Sequence, residues 1–305
     1  MFLFLSIKFK FLLRSISFFF PIFSSISNRL LAFYLKLEFN ILFYRKDYIF
    51  YRLTKNRIIK LYKHSFLTKL ILNDFEYEEL AFVKQILQAN DIVFDIGANI
   101  GIYSLLSSNY VGESGLVYAF EPVDSTYKKL LENIKANQIA NLLPYNIAVS
   151  DKSNEILTIY KNDNGYDVFD SMVTPLLDNA KEIKVSTVSL DDFITQQNVD
   201  VQSIKLIKID VEGWEFNVLQ GAKKLLEAHL PIAFLVEFSK ENVDSTSIKN
   251  KAVYDYMRKY QYEWYSYNVQ YKKLVYCGFN VVSKGVNLIA INDAFKKINA
   301  SLFID

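Results

Sequence analysis

The chain has 305 residues, 51% of them hydrophobic and 16% aromatic, which is ample for a sizeable core and sets a prior of about two domains at ~150 residues each. A single cysteine, Cys277, excludes an internal disulfide and a cysteine metal cluster, and two histidines, His64 and His229, exclude a histidine-rich metal site. The net charge of +2 hides an uneven distribution.

From Met1 to Leu72 there are thirteen Lys and Arg against two acids, Glu38 and Asp47, a charge of +11 that leaves −9 for the remainder. The same leader holds eighteen Phe and Tyr, and no glycine occurs before Gly97. This composition reads as a helical, basic and aromatic extension over residues 1–72, followed by a catalytic domain over 73–305. The longest uncharged run, Ser15 to Asn28, is fourteen residues and is interrupted by Pro21, short of the ~20 apolar residues a bilayer helix needs. A basic start and apolar middle resemble a secretory signal, but no clear small-residue cleavage site follows. Two readings stay open. The leader lies on an anionic membrane surface, or Phe18, Phe19, Phe20, Ile22 and Phe23 pack on protein. The corresponding location is cytoplasmic, with the inner face of a membrane as the leader's place. No nucleic-acid-binding module accompanies the positive charge, so nucleic acid is not an expected partner.

From Asn73 the pattern becomes regular. Asp74 can cap a helix to about Gln88 with Leu80, Val83, Ile86 and Leu87 on one stripe. Ile92 to Ile96 is a short apolar run that reads as a buried strand carrying one acid, Asp95. It ends in a turn, Gly97-Ala98-Asn99-Ile100-Gly101, before a helical segment from Ile102 to Asn109. The next strand, Leu116 to Phe120, closes on Glu121. Asp124 can cap a helix from Ser125 to Ala136, and a third strand, Leu142 to Val149, leads to Ser150 and Asp151. Ile156 to Tyr160 reads as a strand and Lys161 to Asn179 as a long polar loop whose Tyr166, Asp170 and Ser171 could face a substrate. Ser189 to Asp192 is a capping-box-like helix start.

A second informative stretch runs from Ile204 to Ala222. Its strand, Ile204 to Ile209, meets Asp210, Glu212 and Gly213, and a helix is expected from Glu215 to Ala228. Ile232 to Val236 is another strand, ending at Glu237. Asn250 to Gln261 reads as a helix with a core stripe of Val253, Tyr256, Met257 and Tyr260, and Glu263–Tyr267, Lys273–Cys277 and Val286–Ile291 as strands.

Four strands thus deliver acids (Asp95, Glu121, Asp210, Glu237) to the rim where open α/β sheets bind ligands. A dinucleotide fingerprint would place glycines at 99 and 102, where this chain has Asn99 and Ile102. A pyrophosphate would be repelled by Asp95, whereas the sulfonium and ammonium of S-adenosylmethionine suit it. Glu121, twenty residues past Gly101, can accept the hydroxyls of a ribose, and Asp151 can accept the amine of adenine. Asp210, Glu212 and Glu237 are the candidate catalytic acids for removing a hydroxyl proton or holding it in place. Their oxygens would also suit a divalent cation; the simpler reading, that they position hydroxyls, assigns no metal.

The motifs VFDIGANIGIYS, YAFEP, NIAVSD, KIDVEGWEFNVLQGA and VEF, in that order between Asp91 and Ser239, resemble the FkbM family of S-adenosylmethionine-dependent methyltransferases. The resemblance implies a class I methyltransferase, Rossmann-like α/β fold: a mostly parallel sheet with one antiparallel strand and helices on both faces. It implies methyl transfer to a hydroxyl of a sugar, glycan or related small molecule. It carries cofactor roles onto Asp95, Gly97, Asn99, Gly101 and Glu121, with Asp151 near adenine, and puts Asp210 and Glu212 beside donor and acceptor, with Glu237 behind them. The leader lies outside it. Two other classes remain to be tested against it, a non-catalytic binding or scaffold protein and an NAD-dependent oxidoreductase.

Overall fold

The structure, a computed structural model, describes residues 24–161, 181–239 and 244–303. The chain divides into two compact units, Met1–Phe50 with Leu61–Phe75, and Tyr51–Lys60 with Glu76–Asp305. These divisions fall at places other than the compositional boundary at Leu72.

In the first unit, helix α1 (Ser24–Leu42) exposes Leu30, Phe33, Leu37 and Ile41, spaced three and four residues apart and so on one face. Glu38 and Phe43 are buried, with Phe43 4.7 Å from the Phe39 ring. The extension expected to be helical then contains two strands, β1 (Tyr48–Arg52) and β2 (Ile58–Tyr62), which form a two-stranded sheet. Aromatic and β-branched residues such as Tyr48, Ile49, Phe50, Ile58 and Ile59 favour that outcome. Helix α2 (Phe66–Leu72) starts at a true cap, Ser65, whose hydroxyl accepts from Thr68 N.

The second unit is built on an eight-stranded sheet. Helix α3 (Tyr77–Ile86) opens at Glu76, which is left-handed at φ 45°, so Asp74 is not its cap. Strand β3 (Ile92–Ile96) is buried at every position, which explains an apolar run without alternation. Helix α4 (Ile102–Tyr110) leads to β4 (Leu116–Phe120) and helix α5 (Asp124–Ala136). Asp124 is the first helical residue rather than the cap, and it pairs with Lys128 at 2.7 Å. Asn133 of α5 and its C-cap Asn137 accept from the backbone N–H groups of Lys60 and Ile58, which fastens that segment to the helix.

The expected third strand is two strands, β5 (Leu142–Tyr145) and β6 (Ala148–Ser150), because the chain leaves the main sheet between them. There Asn146 Nδ2 donates to the carbonyls of Glu121 and Pro122. Strand β6 pairs in parallel with β8 (Lys181–Ser189), which pairs antiparallel with β7 (Ile156–Lys161). The sequence reading found β7 and missed β8. Tyr166, Asp170 and Ser171 lie outside the described residues. Helix α6 (Leu190–Gln196) begins at Ser189 as expected, with Asp192 N donating to its hydroxyl.

After β9 (Ile204–Ile209), one expected helix is two, α7 (Glu215–Gln220) and α8 (Lys223–Glu227). The break falls at Gly221, where a Cβ would sit 2.0 Å from the Ser150 carbonyl oxygen. Strand β10 (Ala233–Phe238), helix α9 (Asp244–Lys259), strands β11 (Glu263–Asn268), β12 (Lys273–Tyr276) and β13 (Val286–Ile291), and helix α10 (Asp293–Ile298) complete the chain. Of the expected core stripe, Val253 and Met257 of α9 and Tyr260 just beyond it are buried, whereas Tyr256 is half-buried.

The strand order is β12-β11-β13-β10-β9-β3-β4-β5. The pairs among β10, β9, β3, β4 and β5 are parallel, and β13 runs antiparallel to both β10 and β11. This is the class I methyltransferase, Rossmann-like arrangement, with β12 as a second reversed strand at the edge. The chain winds outward from β3 to β5 on one side and from β9 to β10 on the other, so the crevice of a doubly wound sheet opens between the ends of β3 and β9.

Candidate active site

The turn after β3 is held open by three residues in the left-handed region: Gly97 at φ 81°, Asn99 at 50° and Gly101 at 98°. Gly97 has no alternative, because a Cβ there would lie 1.7 Å from the Asp210 carbonyl oxygen. Asn99 supports its conformation with its own Oδ1, which accepts from Ile100 N at 2.8 Å. Glu121 clamps the turn from the next strand: Oε2 accepts from Asn99 N at 3.0 Å and Oε1 from Val123 N at 2.9 Å. Gly97, Asn99, Gly101 and Glu121 are therefore one constellation.

Asp95 sits behind the turn rather than on its rim. It is fully buried, and its Oδ2 accepts from Ser104 Oγ at 2.5 Å, tying β3 to the first turn of α4. Its Oδ1 has no hydrogen-bond donor and faces Lys208 Nζ at 3.8 Å. Burial pushes the Asp95 carboxyl up, partly offset by Lys208 and Ser104.

Lys208 was not singled out in the sequence, and it is the centre of the buried polar network. Nζ donates to the Gly97 carbonyl at 3.1 Å and to Asp210 Oδ2 at 2.8 Å, and stands 5.1 Å from the centre of the Tyr103 ring. Burial opposes its charge, but Asp210, Asp95 and Glu76 outweigh that and keep it protonated. Tyr103 in turn donates to Glu76 Oε2 at 2.5 Å. Burial and then the Asp210 charge raise the Glu76 carboxyl to about 7. A signal for Lys208 was present: in a strand covered on both faces, a lysine sharing a face with Ile204 and Leu206 must be paired.

Beyond β9 the chain turns through Glu212 at φ 51° and Gly213 at φ 96°. Glu215, another residue missed, braces this turn: its Oε1 accepts from Val211 N at 3.3 Å and Gly213 N at 3.0 Å. The result brings carboxylate oxygens of Asp210, Glu212 and Glu237 within 4.8 Å of one another. Burial resists ionisation of Asp210, yet Lys208 and a hydrogen bond with Glu237 hold it below the usual carboxylate range. The Asp210 charge, followed by burial and Glu212, pushes Glu237 well above it. The two shifts run in opposite directions, so Glu237 holds a proton more readily than Asp210. Glu237 lies within β10 rather than after it.

Asp151 follows β6. Its Oδ1 accepts from Ser150 Oγ at 2.9 Å, and Ser150 accepts from Trp214 Nε1 at 3.0 Å, so it is anchored to the segment leading into α7. It lines a shallow cleft of about 490 Å³ with Ser153, Asp191 and Gly221.

The Methyltransferase FkbM domain matches residues 95–264, more than half of the chain. The chain belongs to the FkbM methyltransferase family. It is 30% identical over 164 residues to the 31-O-demethyl-FK506 methyltransferase FkbM of Streptomyces tacrolimicus, covering 45% of this chain and 61% of that protein. It is 26% identical over 145 residues to the hexuronic acid methyltransferase AglP of Haloferax volcanii, covering 46% and 54%. The chain thus spans less than two thirds of the length of these relatives. Among solved structures it is similar to the methyltransferase FkbM from Methylobacillus flagellatus KT, with a TM-score of 0.41, 13% identity, and coverage of 73% of this chain and 53% of that one.

S-adenosyl-L-methionine is the cofactor of an FkbM methyltransferase. Glu121, a carboxylate beside the turn, is complementary to hydroxyls and positive charge, while Asp210 and the Gly97 carbonyl are acceptors that serve Lys208 Nζ. A pyrophosphate would meet the same groups as an adversary.

Proposed function

We propose that the protein is an S-adenosylmethionine-dependent O-methyltransferase acting on a hydroxyl of a sugar, glycan or related metabolite. The observation that carries the reading is the left-handed turn from Gly97 to Gly101, clamped by Glu121 and facing the acids after β9. The names of the relatives, a 31-O-demethyl-FK506 methyltransferase and a hexuronic acid methyltransferase, support a hydroxyl acceptor. In this reading Gly97, Asn99, Gly101 and Glu121 bind the cofactor, Asp95 positions the turn from behind, and Asp151 serves the adenine.

The cofactor supplies an electrophilic methyl on sulfur. With that methyl donor bound, Glu212 and the Asp210–Glu237 pair would orient the acceptor hydroxyl and Asp210 would hold or accept its proton. Much of the rate comes from holding oxygen and methyl in line. Calorimetric titration with S-adenosylmethionine, S-adenosylhomocysteine and NAD tests the reading. The first two should bind and NAD should not, and Glu121→Ala should weaken both by about tenfold or more, since a clamp of two backbone N–H groups is lost. Binding of NAD alone would make the protein an oxidoreductase, and binding of none a scaffold.

The extension is proposed to rest on the cytoplasmic face of a membrane. The exposed stripe Leu30, Phe33, Leu37 and Ile41 of α1 is bordered by Arg29 and Lys36, an arrangement suited to anionic lipid. No described helix is long and apolar enough to cross a membrane. In liposome co-sedimentation, the protein should pellet with phosphatidylserine vesicles and much less with neutral ones, and Phe33→Glu with Leu37→Glu should remove the difference. Equal partition to both lipids would count against it.

A further inference from the structure

We infer that Glu76 and Tyr103 are positioning residues of the methyl-transfer site, and that they act by holding the Lys208 ammonium between the two sides of the crevice. Lys208 Nζ donates to the Gly97 carbonyl, just after β3, and to Asp210 Oδ2, just after β9. One ammonium therefore joins the glycine turn to the strand end beside it. A lysine head is a compact charge on a flexible stem, so its place is set by what surrounds it.

The third neighbour of that ammonium is the Tyr103 ring, whose centre lies 5.1 Å from Nζ, within reach of a cation–π contact. Tyr103 is buried in the first turn of α4, directly after the glycine turn. A buried phenol needs a partner for its hydroxyl, and Glu76 Oε2 accepts from it. Glu76 stands just before α3, so the contacts cross three elements that are distant in the chain.

Charge acts along the same path. Burial, and then Glu76, push the Tyr103 phenol well above its ordinary value, so it stays a donor. A hydroxyl that donates to a carboxylate gathers negative charge on its ring, which tightens the hold on a cation over the ring face. Glu76 is also the third carboxylate, after Asp210 and Asp95, that keeps Lys208 protonated against burial. The effect on catalysis rests on the reading that the cofactor binds at the turn from Gly97 to Gly101; the hold on Lys208 does not.

Two nearly isosteric variants test the inference. Glu76→Gln keeps an acceptor for Tyr103 without the charge, and Tyr103→Phe keeps the ring without the tie. In hydrogen exchange of the ligand-free chain, read by mass spectrometry, both should speed exchange at residues 97–101 and 210–213 by about three- to tenfold. S-adenosylhomocysteine should bind both about three- to tenfold more weakly at pH 8, the scale of one cation–π contact or charged hydrogen bond. The double variant should be no weaker than the weaker single one, because the two residues act in series. Additive losses, or exchange and affinity unchanged in both variants, overturn the inference.

The pH profile separates positioning by charge from bracing by shape. Burial and then Asp210 raise Glu76 to about 7, with Lys208 and Tyr103 opposing and Glu79 adding to the rise. Its charge therefore forms between pH 6 and 8, and the deficit of Glu76→Gln should be present at pH 8 and small at pH 6. Glu237, also raised, is common to both proteins and cancels in the comparison. Full rescue by glutamine at both pH values would make Glu76 a brace only and overturn the inference. If Tyr103→Phe fails to fold by circular dichroism, Glu76→Gln and its profile decide. Faster exchange in the variants of a protein that binds no S-adenosylhomocysteine removes the cofactor reading alone. Wild-type binding that neither variant alters, with exchange unchanged, removes the positioning role alone.

Discussion

Gly97→Ala should abolish cofactor binding and lower the melting temperature by about 4–20 °C. The added Cβ would stand 1.7 Å from the carbonyl oxygen of Asp210 and 2.8 Å from its carbon. Both are backbone atoms of the chain leaving β9, so no side chain can rotate aside. Residue 97 also sits at φ 81°, where a Cβ costs about 1–2 kcal/mol by itself. Overpacking adds about 1–3 kcal/mol, for a total of about 2–5 kcal/mol out of the 5–15 that hold a typical domain. At about 2–4 °C per kcal/mol for a domain of this size, the stated range follows. Relief can come only by parting β3 from β9, which opens the crevice where the cofactor binds. Gly101→Ala is the control: its Cβ would meet the Cδ1 end of Leu130 at 2.5 Å, which a rotamer change can move. Calorimetry on both variants decides the matter, and a Gly97→Ala protein within about 0.5 kcal/mol of wild type would refute the close-approach argument.

Lys208→Met should cost about 3–5 kcal/mol at neutral pH, the range for removing one partner of a buried ion pair. The methionine fills the space of the lysine stem but leaves Asp95 and Asp210 without their cation, and the Gly97 carbonyl without its donor. The pH dependence separates this loss from a packing defect. In the wild-type protein the Asp210 carboxyl is depressed, so its stabilising contribution is present above the unfolded value and is lost as pH falls. Without Lys208, burial lifts both Asp95 and Asp210 above their unfolded values. The folded state then binds more protons than the unfolded one, and stability declines as pH rises. The deficit of Lys208→Met should therefore shrink on going from pH 7.5 to about pH 5, and Asp95→Asn in the same chain should recover part of it. Denaturant melts at the two pH values measure this; a deficit independent of pH would assign the loss to packing.

The parts of the fold legible in the sequence were those whose signal is local. Strands β3, β4, β9 and β13 are covered on both faces or nearly so, and predominantly apolar runs ending in Gly97, Glu121, Asp210 or a turn gave their limits closely. Elements shaped by distant contacts were misjudged. The helix break at Gly221 exists because the Ser150 carbonyl approaches from a strand some seventy residues earlier, and nothing adjacent to Gly221 announces it. Strand β8 alternates polar and apolar residues with Lys181, Glu182 and Lys184 among them, and its partners lie in β6 and β7.

The site divides the same way. Gly97, Asn99, Gly101 and Glu121 were readable because a short turn and the next strand end suffice to assemble them. The nearness of Asp210 and Glu237 was legible from two neighbouring parallel strands, although Glu237 lies within β10 and Glu212 on the turn beyond β9. What could not be read was direction: Asp95 points back to Ser104 and Lys208, and Glu76, outside every motif, reaches the cluster through Tyr103. Side-chain orientation beneath a sheet edge depends on three dimensions, and residue spacing carries one.

Lys208 and the Gly97 carbonyl are 111 residues apart in the chain. That span governs when the protein becomes competent during synthesis. While the ribosome has delivered only β3, β4 and β5, the β3 edge that will meet β9 exposes backbone groups and apolar side chains together, a surface prone to aberrant pairing. The loop must close across more than a hundred residues before that edge is covered, and such closure is slow compared with forming any single helix. A nascent chain can therefore carry the complete glycine turn for many seconds of elongation while having no floor beneath it, and stalling anywhere before Glu237 leaves a molecule with its most diagnostic motif and no pocket.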